Sequence, residues 1–210
     1  MSEPNQIATY DNSVGKFDNF SSMKEMQDLA ATLIKSKILP DAYKTSEAVI
    51  ATVIQGKELG LKAMTALQNI HFISGKPTLG VHAISALLRA KGIDSKVVKD
   101  MEPINNSEGV IVDYITTVRF YRFSKVINAV IEEDSSFTWG DAVAAQLTGK
   151  DVWKKYPKNM LFSRAYANGA RRIAGDVLLG IYETEEMASV TNTPIDMNEE
   201  GHITIIQQSN

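Results

Sequence analysis

The chain predicts an α+β fold, with a small antiparallel sheet of about three strands plus a short hairpin, packed with helices. Three observations carry this. Apolar residues recur at helical spacing through residues 21–91 and again after residue 137. Between them, residues 96–132 are rich in Val, Ile, Thr, Tyr and Phe, types that suit a pleated, half-buried surface. The order is helices, then strands, then helices, without the βαβ alternation of a parallel sheet and without an internal repeat.

Taken in order, residues 1–20 are rich in Asn, Ser, Asp and Gly and read as a flexible N-terminal arm. The core is expected over 21–190. Ser21 or Ser22 caps a first helix that carries Met26, Leu29, Ala30 and Leu33 to Lys35, and Leu39-Pro40 closes it. Thr45 or Ser46 caps a second, with Val49, Ile50, Val53 and Ile54 on one face and a stop near Gly60. A short helix over 64–69 precedes a strand and turn at 71–77. A helix over 81–91 turns Ile84, Leu87 and Leu88 inward and ends at Gly92, a residue suited to the left-handed stop.

The β segment starts with a strand at 96–101. A long strand at 110–123 then pairs with 126–132 in a hairpin that turns near Phe123-Ser124. Residues 137–141 lead into a helix through Ala145. A loop ending at Pro157 opens a helix to about Ala174, since proline at a first helical turn lacks only an N–H that would go unpaired. A last short helix spans 183–190. Residues 191–210 read as an acidic, flexible C-terminal tail, in which 203–206 is a candidate edge strand.

The chain has 210 residues, 44% hydrophobic, enough for a substantial core. It contains no apolar run of about 18 residues, so no membrane span is expected. Its first residues lack the apolar segment of a secretory signal. There is no cysteine, which excludes disulfides, thiolate zinc sites and thiol catalysis and fits a cytoplasmic setting.

The formal charge of −3 hides a segregation. Residues 150–172 hold Lys150, Lys154, Lys155, Lys158, Arg164, Arg171 and Arg172 against the single acid Asp151. No Lys or Arg follows Arg172, while Asp176, Glu183, Glu185, Glu186, Asp196, Glu199 and Glu200 do. A local cationic field of this density suits a polyanion.

On the helix after Pro157, Met160, Arg164 and Arg171 share a stripe, and the two arginines stand about 10 Å apart. Small residues Ala165, Gly169 and Ala170 let the other side approach a sheet closely. The arginines suit phosphate oxygens and base stacking, with Lys158 at the entry of a groove; the competing reading is a solvated cationic face. Trp153, Tyr156, Phe162 and Tyr166 interleave with the cations and are candidates for base stacking or for core anchoring. On the long strand, Thr117, Arg119 and Tyr121 share one face. That face is either a second wall of the groove or an ordinary polar surface. The candidate DNA-binding residues are thus Trp153, Lys154, Lys155, Tyr156, Lys158, Arg164, Arg171, Arg172, Thr117 and Arg119.

Other chemistry is poorly represented. The Gly75-Lys-Pro-Thr78 segment lacks the upstream glycine of a nucleotide-binding loop, with Ile at position 70. His71, His82 and His202 have no metal-ligand spacing. The acids Asp100/Glu102 and Glu132/Glu133/Asp134 are the only basis for a Mg²⁺-dependent nuclease or resolvase. Binding rather than bond breaking is therefore expected, with no catalytic residue, no cofactor and no metal ligand; whether Mg²⁺ modulates the activity is open.

The run Trp153-x-x-x-Pro157-Lys158-x-Met160-Leu161-x-x-Arg164-Ala165, followed by Ala170-Arg171, Gly180-Ile181-Tyr182 and the acids at 183–186, resembles the signature of the RecT/Redβ family of phage single-strand annealing proteins. Weaker similarity covers 56–60, 66–68, 72–76 and 137–139, within a span of 25–190. The resemblance implies a RecT/Redβ-like annealing core. It implies an ATP-independent protein that binds single-stranded DNA and pairs it with its complement through an annealed duplex intermediate, acting as a homo-oligomeric ring or helical filament during recombination in a bacterial cytoplasm. It also implies work beside a 5′→3′ exonuclease and a host single-strand-binding protein. Lys158, Arg164 and Arg171 match the family's phosphate-contacting positions. Asn159 and Phe162 stand where relatives can carry further cations. A passive single-strand-binding protein is the alternative. On the annealing reading, Arg164→Ala and Arg171→Ala are expected to abolish annealing with the fold intact.

Overall fold

The computed structural model of the protein describes residues 22–191, 193–198 and 202–206; the expected arm at 1–20 lies outside them. The chain divides into two compact units, Met1–Gln68 and Asn69–Asn210. The α+β class is observed.

The first unit is helical. Helix α1 (Met23–Ser36) is capped by Ser22, whose hydroxyl accepts from the Glu25 amide, and α2 (Ser46–Glu58) by Thr45, which accepts from the Ala48 amide. Each hydroxyl satisfies a donor that the helix start leaves unpaired. Helix α3 (Ala63–Asn69) follows. Ala30, Val49, Val53, Ala63 and Leu67 form the core. Gly56 lets α2 meet α3 closely, since a Cβ there would stand 2.3 Å from the Ala66 Cβ.

The second unit opens with a hairpin, β1 (Ile70–Ile73) and β2 (Lys76–Leu79). Its two-residue turn, Ser74 and Gly75, has φ of 50° and 74°, the paired left-handed geometry that matches strand twist. Helix α4 (Val81–Ala90) buries Val81, Ile84, Leu87 and Leu88, and Gly92 at φ 72° ends it. The main sheet is antiparallel with order β3 (Ile93–Asn105), β4 (Ile111–Ser124), β5 (Ala129–Thr138). The turn between β4 and β5 falls at residues 125–128, beyond the expected Phe123-Ser124. The reason is that Asn128, at φ 50°, rather than Ser124, supplies the left-handed residue.

Thr138 closes β5 and opens α5 (Trp139–Ala144) with a reciprocal capping box to Asp141. Short α6 (Asp151–Lys155) leads to α7 (Pro157–Ala174), which lies across β4 and β5. Gly169 makes that approach possible: a Cβ there would sit 2.2 Å from the Phe120 ring and 2.7 Å from the Ser135 Cβ. Strand β6 (Tyr182–Glu183) adds in parallel to β2, and α8 (Thr184–Thr191) follows.

Parts of the expected flexible tail are ordered secondary structure. β7 (Ile195–Met197) and β8 (Ile203–Ile205) pair antiparallel. Met197 and Ile203 are buried in a cluster with Ala142, Leu147, Val152, Trp153, Met160 and Leu161. Burial in this cluster, rather than local propensity, holds so short a hairpin. Among the described residues, no helix is long and apolar enough to cross a membrane.

Candidate nucleic-acid interface

Helix α7 is the centre of the second unit, and most of its side chains are buried. Its arginines are engaged by the protein's own acids. Arg164 is only 12% exposed, and its Nε lies 2.8 Å from Oε2 of Glu185, which is fully buried. That Nε–H is off line, so charge rather than a formed hydrogen bond holds the pair there; Arg164 Nη2 donates to Glu185 Oε1 at 3.5 Å. The same Oε1 accepts from Trp153 Nε1 at 3.0 Å and from the Ser189 hydroxyl at 2.7 Å. Two turns on, Arg171 pairs with Glu186 and donates to Asn168. Lys150 Nζ donates to the Ser189 carbonyl, and burial pushes its pKa down.

Glu183 stands at the head of α8. Its two carboxylate oxygens accept from the amides of Glu185 and Glu186, which are otherwise unpaired at a helix start. Burial first, and the neighbouring Glu185 charge second, push its pKa up to about 8. Asp176, Glu183, Glu185 and Glu186, which follow the basic block in the sequence, therefore belong to the fold. Two of them clamp α8 onto α7, Glu183 caps α8, and Asp176 takes a bidentate hydrogen bond from Arg122 at 2.6 Å. Arg122 also donates to the Ile173 carbonyl near the end of α7, where a cation offsets the helix dipole. Sequence reasoning missed these roles; the available signal was an acid-only segment that has to find its cations upstream.

The aromatics that were candidates for base stacking or core anchoring pack toward the core. Trp153 is fully buried, with ring centroids 6.3 Å from Phe137 and 6.2 Å from Trp139. Tyr156 joins α6 to α7 half-buried against the same cluster. Tyr166 is buried, edge-on to Phe120 at 4.9 Å. Phe162 is half-buried beside it, at 5.5 Å.

The β4 face read as either a second groove wall or an ordinary polar surface lies on the side of the sheet away from α7. Alternation places Val118, Phe120 and Arg122 against α7 and sends Thr117, Arg119 and Tyr121 to the opposite face of the sheet. There Arg119 makes a bidentate pair with Asp134 at 2.6 and 2.7 Å and lies 3.4 Å from Glu132. Buried Thr117 shares a hydrogen bond with Ser136. Arg172 pairs with Glu133 and donates to the Asp134 carbonyl. Of the acids considered for a metal, Glu132 and Asp134 share Arg119, Glu133 faces Arg172 and Asp100 faces Lys158. Among the described residues, no group of three or more potential ligands is brought together.

Also outward-facing, beside exposed Arg172, is a lysine cluster where α6 meets α7. Lys154 and Lys155 are exposed on the last turn of α6. Lys158, on the first turn of α7, is exposed while lying 2.8 Å from Asp100 of β3. No protein-family model, curated protein or solved structure matches the chain.

Proposed function

We propose that the chain is an ATP-independent single-stranded DNA-binding and annealing protein with a RecT/Redβ-like core, working as a homo-oligomer in a bacterial cytoplasm. A 5′→3′ exonuclease and a host single-strand-binding protein are its proposed companions. The observation that carries the reading is the exposed lysine cluster at Lys154, Lys155 and Lys158, on the very segment whose residues resemble the annealing signature. Annealing must accept any sequence, so its contacts belong on the phosphate backbone. Lysine serves that need as a mobile point charge. The Lys158–Asp100 pair is exposed and therefore weak, so a phosphate can take the place of the carboxylate. Trp153, Arg164, Arg171, Arg172, Arg119 and Thr117 support the site by holding its framework. Tyr156 sets the turn that places Lys158 one turn from Lys154 and Lys155.

The test is pairing of two complementary dye-labelled oligonucleotides at low salt without ATP. The wild-type protein accelerates pairing over the protein-free control. Lys154→Glu/Lys155→Glu removes the acceleration while far-UV circular dichroism is unchanged. Acceleration equal to wild type in that variant overturns the assignment of the site. Tight single-strand binding without acceleration overturns annealing in favour of passive binding.

A further inference from the structure

We infer that His82 and His202 form a two-histidine site for a late divalent transition-metal ion such as Zn²⁺, which staples the β7–β8 hairpin to the start of α4. The inference is independent of the proposed function. Along the sequence the three histidines show no ligand spacing, but in the fold two of them meet. The rings of His82 and His202 lie with centroids 5.8 Å apart and planes inclined at 46°. A metal held at about 2.0–2.1 Å from one nitrogen of each ring sets the two centroids about 5–6 Å apart. The observed separation therefore asks for side-chain rotation only, with no movement of the backbone.

Both imidazoles are exposed, so a metal and its remaining water ligands can reach them. Their backbones are fixed. His82 stands in the first turn of α4, directly after buried Val81. His202 stands directly before buried Ile203. Its amide donates to Asn198 Oδ1 at 2.9 Å, and its carbonyl accepts from the Asn198 amide at 3.1 Å. Ligands carried by fixed elements are pre-organised for the ion. Among the described residues, no group of three or more potential ligands is assembled, so the ion takes two ligands from the protein and the rest from water.

Ligand chemistry selects the ion. Imidazole suits Zn, Cu and Ni, whereas Mg and Ca ask for carboxylate and carbonyl oxygens. The consequence is structural. β7 and β8 pair over only three residues each, and a hairpin of that length is marginal alone. The two ligands come from opposite ends of the second unit, so unfolding separates them and the ion binds the folded chain alone. Binding of that kind stabilises the fold in proportion to the logarithm of the ion concentration.

The experiment is calorimetric titration of ZnCl₂ into the full, untagged chain at neutral pH in chelator-free buffer, with thermal unfolding by circular dichroism alongside. Wild type is expected to take up one Zn²⁺ per chain, and its Tm to rise with Zn²⁺ concentration. His82→Ala and His202→Ala are each expected to lose both the uptake and the rise, while His71→Gln keeps both. Excess Mg²⁺ is expected to leave the uptake unchanged. If an alanine variant fails to fold, His82→Gln or His202→Gln replaces it. No uptake by wild type overturns the inference, as does uptake that survives in both single variants. So does half an equivalent per chain, which would mean an ion bridging two copies. Displacement of Zn²⁺ by Mg²⁺ overturns it as well, because that would put the ion on carboxylates.

Discussion

Arg164 changes meaning once its partner is seen. Read along the sequence, it is an exposed phosphate contact; in the fold it neutralises a carboxylate with no access to water. Arg164→Ala leaves Glu185 buried and unpaired, a loss of about 3–5 kcal/mol in systems of this kind. Urea denaturation is expected to show that loss, so failed annealing by this variant reports on folding. Its partner was illegible because Glu185 lies a full helix and loop downstream, and an ion pair leaves no local periodicity. Gly169 was legible: small residues on the inner face of the helix implied close approach to a sheet, and the Phe120 ring provides it. Gly169→Ala improves helix propensity yet is expected to destabilise by about 1–3 kcal/mol through overpacking, measured by the same denaturation.

Elements with local signals were legible in the sequence, and those made by tertiary burial were not. The caps at Ser22 and Thr45 and the stop at Gly92 follow from hydroxyl and glycine chemistry within one turn. The hairpin of β7 and β8 is too short for any period to show, and it depends on Met197 and Ile203 entering a cluster built by distant residues. Helix α8 joins both kinds of information, because its N-terminal carboxylates fix it to α7. Glu183 has a folded-state pKa raised from 4.5 to about 8. Its neutral form is the one the fold favours, so its contribution is complete below about pH 4.5 and is lost as pH rises to about 8. The unfolding free energy of wild type, relative to Glu183→Gln, is expected to fall across that window by at most about 1.4 kcal/mol per pH unit and to level off above it. The variant carries a constant penalty for one lost cap bond, so the slope is the readout. Parallel stability curves for the two proteins would refute the assignment.

At the scale of the whole molecule, the segregated charge has two functions that composition cannot separate. The sequence places seven cations in the basic block. The fold commits Arg164 and Arg171 to the acids of α8 and Lys150 to a carbonyl, leaving Lys154, Lys155 and Lys158 exposed, with Arg172 exposed beside Glu133. Each phosphate neutralised on a single strand steepens the dependence of log K on log salt by about 0.7. Contact through all seven would give a slope of about −5 per chain, and contact through the three lysines about −2. Fluorescence anisotropy titrations of a labelled single strand across a salt series distinguish these values. The fold supports the shallower slope, because releasing a buried arginine to a phosphate strands its carboxylate in the core. Binding strength must then come from repeating a modest site along an assembly, since a few contacts per chain multiply when neighbouring chains hold the same strand. A slope near −5 would mean that α8 leaves α7 when DNA binds, and that the acids of α8 occupy the arginine site only until a phosphate backbone replaces them.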